Sequence, residues 1–250
     1  MLLHISATAF VYNPNIMLIW WHYLILFAVA FGVTLAAVPV VRSVAIRYGV
    51  VDQPGARRVN KEPIPRMGGV AMYAGLLAAF AVEYILELAH VWPGPFSLAQ
   101  GSGVNMLGVM IGITLIVIVG VIDDVQSLRP GVKFLGQIIA AIVIASSGVL
   151  MSGFKIPLGD GRVVLGWLSY PVTVIYLVAF ANIINLIDGL DGLAAGITGI
   201  GACGLFILTV TLVRNDASLV AIVLIAVCIA FLFYNFHPAS IFMGDSGSLL

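Results

Sequence analysis

Residues 104–122 read VNMLGVMIGITLIVIVGVI and are followed at once by two aspartates, Asp123 and Asp124. A helix needs about 20 apolar residues to cross the hydrocarbon core of a bilayer, so this run predicts a membrane-spanning helix. Similar apolar runs occupy residues 16–41, 67–89, 134–150, 168–186, 193–213 and 219–236. The sequence therefore predicts an all-α fold, a polytopic transmembrane helix bundle of seven to eight spans, the eighth beginning near Ser248.

Composition supports the same class. The chain has 250 residues, of which 62% are hydrophobic and 9% are charged, whereas a soluble domain carries about 25% charged residues. The net charge is zero, so we expect no nucleic-acid partner. We expect one integral membrane domain over residues 1–250, C-terminally truncated, because an apolar segment is just beginning where the sequence stops.

The basic residues predict the orientation. If residues 16–41 exit into the cytosol, the inner loops hold eight of the eleven Lys and Arg residues. Such a bias is typical of the cytosolic side of a membrane protein. On the outer side, residues 154–166 place Gly159-Asp160-Gly161 between two short β-prone runs, which predicts a β-hairpin. Seven of the eleven Asp and Glu residues also fall on the inner side, where topology alone does not require acids.

Asp123 and Asp124 end an apolar helix, where two carboxylates repel each other and oppose the helix dipole. The arrangement favours a bound cation, although a solvated helix end is the simpler alternative. Downstream, Arg129, Lys133 and Gln137 are spaced four residues apart and share one face of a helix. They indicate an anion contact, or else side chains reaching for the membrane interface.

A second polar stripe recurs at every third position in Asn182, Asn185, Asp188 and Asp191. In a helix these side chains would lie along one face and run out of the bilayer. The glycines that follow each acid, Gly189 and Gly192, allow a close backbone approach to a ligand. Packing alone does not call for two amides and two acids in line at a membrane face.

The last motif is Gly244-Asp245-Ser246-Gly247. This tetrapeptide also surrounds the nucleophile of serine proteases, but no acid–base partner is recognisable from the spacing, and His237 is a weak candidate. An acid between glycines at a helix entrance is better suited to a metal or phosphate site.

Taken in order, these motifs resemble those of the polyprenyl-phosphate N-acetylhexosamine-1-phosphate transferases. The resemblance rests on residues 51–69, on Asp123-Asp124 with Lys133 and Gln137, on Asn182 to Gly192, and on Asn235 to Ser248. Asn60 stands where many members have a histidine, and the family has about ten spans. The segment Leu128-Arg129-Pro130 resembles the branch that uses UDP-N-acetylglucosamine or a related UDP-N-acetylhexosamine.

The resemblance implies transfer of a sugar 1-phosphate from the UDP-sugar to undecaprenyl (polyprenyl) phosphate, with release of UMP. It implies a magnesium ion, with Mn²⁺ as an alternative, at Asp245 and Asp123. Asp123, Asp124 and Asp245 would be catalytic, and the predicted substrate-binding residues are Lys133, Gln137, Asn182, Asn185, Asp188 and Asp191. The expected place is the inner membrane of a bacterium, with the active site on the cytoplasmic face and a homodimer as one arrangement.

Three alternatives stay open. One is a phospho-N-acetylmuramoyl-pentapeptide transferase from the other branch of the family. Another is an ion-coupled transporter, since acids within membranes often mark ion pathways; however, transporter acids lie near the midplane of the bilayer. The third is a catalytically inactive scaffold.

Overall fold

A computed structural model describes residues 14–53, 62–91, 103–155, 161–212 and 215–250. Within these ranges the chain is a bundle of long helices joined by short loops. The helices are α1 (Pro14–Arg47), α2 (Gly68–Leu88), α3 (Met106–Gln126), α4 (Pro130–Ser146), α5 (Ser169–Ile187), α6 (Leu193–Thr211), α7 (Asn215–Asn235) and the one-turn α8 (Asp245–Ser248). A 3-10 turn, Gly166–Leu168, precedes α5.

The predicted spans are confirmed as helices. In the part of the chain that the structure describes, six are long and apolar enough to cross a membrane by length and composition, and α4 is a shorter apolar helix. Large apolar side chains point outward along them, for example Ile175, Ile200 and Leu205, which are 67%, 76% and 55% exposed. Such surfaces suit lipid rather than water, so the chain is a multi-pass membrane protein.

Helix boundaries differ from the prediction at three places. Helix α1 continues past residue 41 to Arg47, beyond the apolar run. Helix α3 continues to Gln126, four residues past the predicted span, and Asp123 and Asp124 lie in its last turn, at the end of the helix as predicted. Helix α5 ends at Ile187, so only the first half of the polar stripe at residues 182–191 is helical.

Among the described residues, two antiparallel hairpins accompany the bundle. One pairs β3 (Gly153–Lys155) with β4 (Arg162–Val164) inside the segment predicted as the outer hairpin, and residues 156–160 lie outside the described residues. A second hairpin, which the sequence did not predict, pairs β1 (Val51–Asp52) with β2 (Ile64–Pro65) between α1 and α2. Asn60 lies outside the described residues.

The packing brings α8 into the centre of one end of the bundle. Helix α1 packs on α2 and α7, α6 packs on α7, and α3, α4 and α5 pack in sequence, while α8 touches α2, α3 and α5. Glycines make this crossing narrow: a Cβ on Gly69 would lie 2.0 Å from the Gly247 nitrogen, and one on Gly120 would lie 2.5 Å from the Asp245 carbonyl oxygen. Only glycine permits backbones this close.

Candidate active site

The first turn of α8 is held by Asp124. One carboxylate oxygen accepts the backbone N–H of Asp245 at 2.8 Å, and the other accepts that of Ser246 at 3.0 Å. Free N–H groups at a helix start need such acceptors. Gly244, at φ 71°, leaves room for this contact, because a Cβ there would lie 2.6 Å from the Asp124 carboxylate oxygens. Asp124 therefore fixes where Asp245 stands.

Lys133 joins α3, α4 and α8 at one point. Its Nζ lies 3.0 Å from Asp123 Oδ2 and 2.9 Å from Asp245 Oδ2, and it donates to Asn185 Oδ1 at 3.3 Å. The second oxygen of Asp123 accepts the Leu128 N–H at 2.6 Å. The sequence predicts a cation beside the adjacent carboxylates of α3, and the ammonium group of Lys133 supplies part of that positive charge from within the protein. Arg129, the third member of the predicted stripe, is exposed and precedes α4.

Asn185 supports Asp245 from α5. Its amide nitrogen donates to Asp245 Oδ1 and to Ser248 Oγ, the latter at 2.7 Å. Burial disfavours the charged form of Asp245, but contacts with Asp123, Lys133 and Asn185 hold its pKa below the ordinary value. Asp245 is therefore kept as a carboxylate.

Gln137 in α4 and Asn182 in α5 form an amide pair, about one turn of helix away from the contacts just described. Asn182 Nδ2 donates to Gln137 Oε1 at 2.6 Å and to the Val178 carbonyl at 2.7 Å. Gln137 is only 1% exposed. The contacts of the two amides are thus directed mainly at each other, and a role in substrate binding stays a prediction for both.

A cavity of about 540 Å³ opens beside Asp245. Its walls include five aspartates, Asp52, Asp124, Asp188, Asp191 and Asp245, together with Arg66, Asn185, Asn235, His237 and Phe242. We call it the acidic cavity. Its volume lies within the usual range for small-molecule sites.

A second cavity of about 590 Å³ lies on the α3–α4 side. It is lined by Asp123, Leu128, Pro130, Gly131, Lys133, Phe134, Gln137 and Asn182. We call it the lysine cavity. The Asp123–Lys133–Asp245 chain of contacts links it to the acidic cavity.

Asp188 caps the end of α5 and faces the acidic cavity. Burial raises the pKa of Asp188 to about 7, and the negative charges of Asp245 and Asp124 add to the shift, while Arg66 opposes it. This environment disfavours a third carboxylate charge unless a cation neutralises it.

Asp191 stabilises the loop between α7 and α8 by contacts with its side-chain carboxylate. Its Oδ2 accepts the Ala239 N–H at 3.1 Å and lies 2.8 Å from His237 Nδ1. Asn235 accepts the Gly192 N–H and donates to the Ile241 carbonyl, each at 3.0 Å. The serine protease interpretation is not supported, because Ser246 is fully buried and a substrate could not reach its hydroxyl.

A family of known proteins matches the part of the chain that carries most of this site. The model of the family described as glycosyl transferase family 4 matches residues 106–250, which is more than half of the chain and includes α3, α4, α5 and α8. The chain belongs to glycosyl transferase family 4.

Relatives in the family carry related descriptions. A Bacillus subtilis protein described as a "Probable undecaprenyl-phosphate N-acetylglucosaminyl 1-phosphate transferase" is 40% identical over 225 residues, covering 88% of this chain and 59% of the relative. A decaprenyl-phosphate N-acetylglucosaminephosphotransferase of Mycolicibacterium smegmatis is 40% identical over 220 residues, covering 84% of this chain and 52% of the relative. The chain spans between half and three-fifths of these two proteins.

A relative from the other branch is more distant. The phospho-N-acetylmuramoyl-pentapeptide-transferase of Desulforudis audaxviator is 34% identical over 245 residues, covering 88% of this chain and 70% of the relative. The family thus contains both of the branches weighed from the sequence.

Sequence reasoning missed three residues of the acidic cavity: Asp52, Arg66 and His237. Asp52 ends β1 and Arg66 directly follows β2 of the unpredicted hairpin, and their signal in the sequence is that residues 51–69 resemble a segment of the family. His237 is isolated in the sequence, because its partner, Asp191, lies 46 residues away.

Proposed function

We propose that the protein transfers an N-acetylhexosamine-1-phosphate, namely GlcNAc-1-phosphate, from a UDP-sugar to undecaprenyl or another polyprenyl phosphate and releases UMP. The observation that carries the proposal is Lys133, which contacts Asp245 of the acidic cavity and Asp123 of the lysine cavity. A cation between two cavities can neutralise two phosphorylated substrates brought together. The descriptions of the relatives with 40% identity favour the GlcNAc branch.

The two cavities suit different substrates. The lysine cavity combines Lys133 with apolar Leu128, Pro130 and Phe134, which fits a phosphate attached to a lipid chain. The acidic cavity is more polar and carries amide, carboxylate and guanidinium groups, which fits a nucleotide-sugar. We assign the acceptor to the first and the donor to the second.

A magnesium ion fits the acidic cavity on the chemistry of its donors. The described residues hold no group of three or more His, Cys, Asp or Glu side chains placed to bind a metal, but Mg²⁺ commonly uses one or two carboxylates plus substrate phosphates. Asp245 and Asp188 both face this cavity, where burial and then the negative charges of Asp245 and Asp124 raise the pKa of Asp188, so a bound cation would favour its charged form. Asp123 is the weaker ligand candidate because it lines the lysine cavity and is not among the residues that line the acidic cavity.

The proposed reaction forms a bond between an oxygen of the lipid phosphate and the sugar-bearing phosphorus, and breaks the bond from that phosphorus to the oxygen that leaves with UMP. A phosphate monoester has a second pKa near 6, so deprotonating the acceptor is a small part of the barrier. Bound magnesium would neutralise charge on the diphosphate. Lys133 would hold the acceptor phosphate, and Asn185 would keep Asp245 in place.

The remaining roles follow from these contacts. Asp123 orients Lys133, and Asp124 positions Asp245 through the start of α8. An alternative in which an aspartate first attacks the donor and forms a covalent intermediate uses the same residues. We place the reaction on the cytoplasmic face of the bacterial inner membrane, as the first membrane step of a cell-envelope glycan such as teichoic acid or lipopolysaccharide.

The test is release of UMP by membranes that contain the protein, supplied with Mg²⁺, undecaprenyl phosphate and UDP-GlcNAc. We expect Mg²⁺-dependent release, and a loss of at least about 1,000-fold in Asp245→Asn at equal expression, since one preorganised charged group contributes roughly this much. Release with UDP-N-acetylmuramoyl-pentapeptide alone would move the protein to the other branch. Ion-driven substrate uptake into liposomes without UMP release would overturn the assignment as an enzyme and favour a transporter.

A further inference from the structure

Arg66 occupies a backbone position that is fixed relative to Asp245. Its N–H donates to the Val50 carbonyl at 3.1 Å. On either side of it in the chain, the Pro65 carbonyl accepts the Phe242 N–H at 2.8 Å, and the Gly68 N–H donates to the Phe242 carbonyl at 3.0 Å. Phe242 is three residues before Asp245 in the chain. The hairpin β1–β2 and the approach to α8 are therefore tied together, and Arg66 moves with the motif that carries Asp245.

The side chain of Arg66 is also anchored. One guanidinium nitrogen, Nη2, donates to Asp52 Oδ1, and Asp52 is itself buried at 7% exposure. A guanidinium has five N–H donors in a rigid plane, so this contact leaves others for a ligand. Because the Arg66 side chain is about one-third exposed and lines the acidic cavity, those donors have access to it.

The excess of negative charge in the acidic cavity favours a role for the free N–H donors of Arg66 in binding an anionic ligand. Five aspartates line it, and among the described residues Arg66 is its permanently charged cation. Lys133 lines the lysine cavity instead. A donor diphosphate carries two negative charges and would be repelled by these walls unless cations receive it. Magnesium held by Asp245 and Asp188 would supply one such cation, and Arg66, which lines the same cavity, would supply another.

We propose that Arg66 binds the diphosphate of the nucleotide-sugar and that Asp52 acts as a positioning residue for its guanidinium. The inference rests on the proposed function, because it names the part of the donor that Arg66 contacts. The competing explanation is that the Asp52–Arg66 pair only closes the hairpin. Both explanations predict some loss of activity on mutation, so the test separates donor binding from stability.

The experiment measures KM for UDP-GlcNAc, KM for undecaprenyl phosphate and the affinity for UDP in Arg66→Gln, Arg66→Lys and Asp52→Asn. In Arg66→Gln we expect the donor KM and the UDP dissociation constant to rise about 10- to 100-fold, as for loss of a charge-assisted hydrogen bond. The acceptor KM should stay within about twofold. Arg66→Lys and Asp52→Asn should give smaller rises, since the first keeps a positive charge but loses the planar fork, and the second keeps the guanidinium but loses the carboxylate that holds it.

The matched control is Arg42→Gln. Arg42 donates from Nε to the Ser240 carbonyl at 3.1 Å, so it touches the same approach to α8, but it is not among the residues that line the acidic cavity. Its donor KM should equal that of the wild type. Wild-type donor KM and UDP affinity in Arg66→Gln would overturn the proposal, as would a lower melting temperature with both KM values unchanged.

These outcomes stay distinct from failure of the proposed function. If wild-type membranes release no UMP from UDP-GlcNAc, the proposed function fails first. If the wild type is active and Arg66→Gln keeps its donor KM, only the role of Arg66 fails.

Discussion

Buried ionisable side chains meet at both ends of the helix bundle, but in different settings. At the end opposite α8, His22 Nε2 lies 2.5 Å from Glu83 Oε2, and the two residues are 7% and 1% exposed. Tyr23 and Ser218 share a hydrogen bond of 2.6 Å beside them. At the α8 end, Asp188, Asp191 and Asp245 face a cavity of about 540 Å³.

The difference separates a structural contact from a candidate site. A closed pair in a membrane helix bundle links helices and needs each partner to satisfy the other. An open group with more acids than bases is left with charge that a ligand can neutralise. Burial of charge is common to both ends, so the cavity and the unbalanced charge are the informative features.

The largest effect short of removing Asp245 is expected from Gly244→Ala. Gly244 has φ 71°, and a Cβ there would lie 2.6 Å from Asp124 Oδ1 and Oδ2. The added methyl group must displace the carboxylate that positions Asp245, and a shift of about 1 Å at a reacting group costs about 100-fold in rate. We therefore expect UMP release to fall by about 100-fold or more.

The matched control for this change is Gly204→Ala in α6, where a Cβ would meet nothing within 4 Å. UMP release by this variant should equal that of the wild type. Equal activity in Gly244→Ala would mean that the narrow contact between α3 and α8 does not set the geometry of the site.

A smaller effect, on stability, should come from Asp188 in metal-free protein. Its pKa is raised from 3.8 to about 7, so between these values the folded state binds more protons than the unfolded state. The contribution of Asp188 to the free energy of unfolding is therefore fully present below about pH 4 and is lost as the pH rises towards 7. Melting temperatures in detergent with a chelator should show this decline, and Mg²⁺ should oppose it.

Asp188→Asn provides the check on this assignment. The amide does not titrate, so the decline between pH 4 and 7 should be weaker than in the wild type. An unchanged pH profile in the variant would assign the effect to another group.

Much of this arrangement could be predicted from the sequence because it is local or periodic. The apolar runs predicted the helices, and the spacing of Asn182, Asn185, Asp188 and Asp191 predicted a common helix face, of which only Asn182 and Asn185 are in the helix. The division of labour could not be predicted. Asp123 and Asp124 are adjacent, yet Asp123 binds Lys133 and Asp124 caps α8. Helices α3 and α8 are separated by about 120 residues along the chain, so the sequence does not indicate which carboxylate meets the glycine-rich turn.

The hairpin β1–β2 shows the same limit. Its strands have two residues each, too few for alternation to be recognised. It is stabilised by contacts with residues far away in the sequence, such as the bond from Phe242 to Pro65. A long-range pair such as Asp52 and Arg66 follows from the folded chain and leaves no periodic trace.

The smallest effect on transfer is expected from Glu83→Gln, which makes the same chemical change as Asp245→Asn at the opposite end of the bundle. Replacing one carboxylate oxygen by an amide group weakens the contact with His22 and should cost about 1–3 kcal/mol of stability. UMP release, measured below the melting temperature, should stay within about twofold of the wild type. A loss approaching that of Asp245→Asn, with no change in melting temperature, would show that the closed pair takes part in the reaction and that an open cavity is a poor guide to function in this fold. A lower melting temperature with normal transfer would instead assign Glu83 to the joining of α1 and α2, since the change is isosteric and lies at the far end of both helices from Asp245.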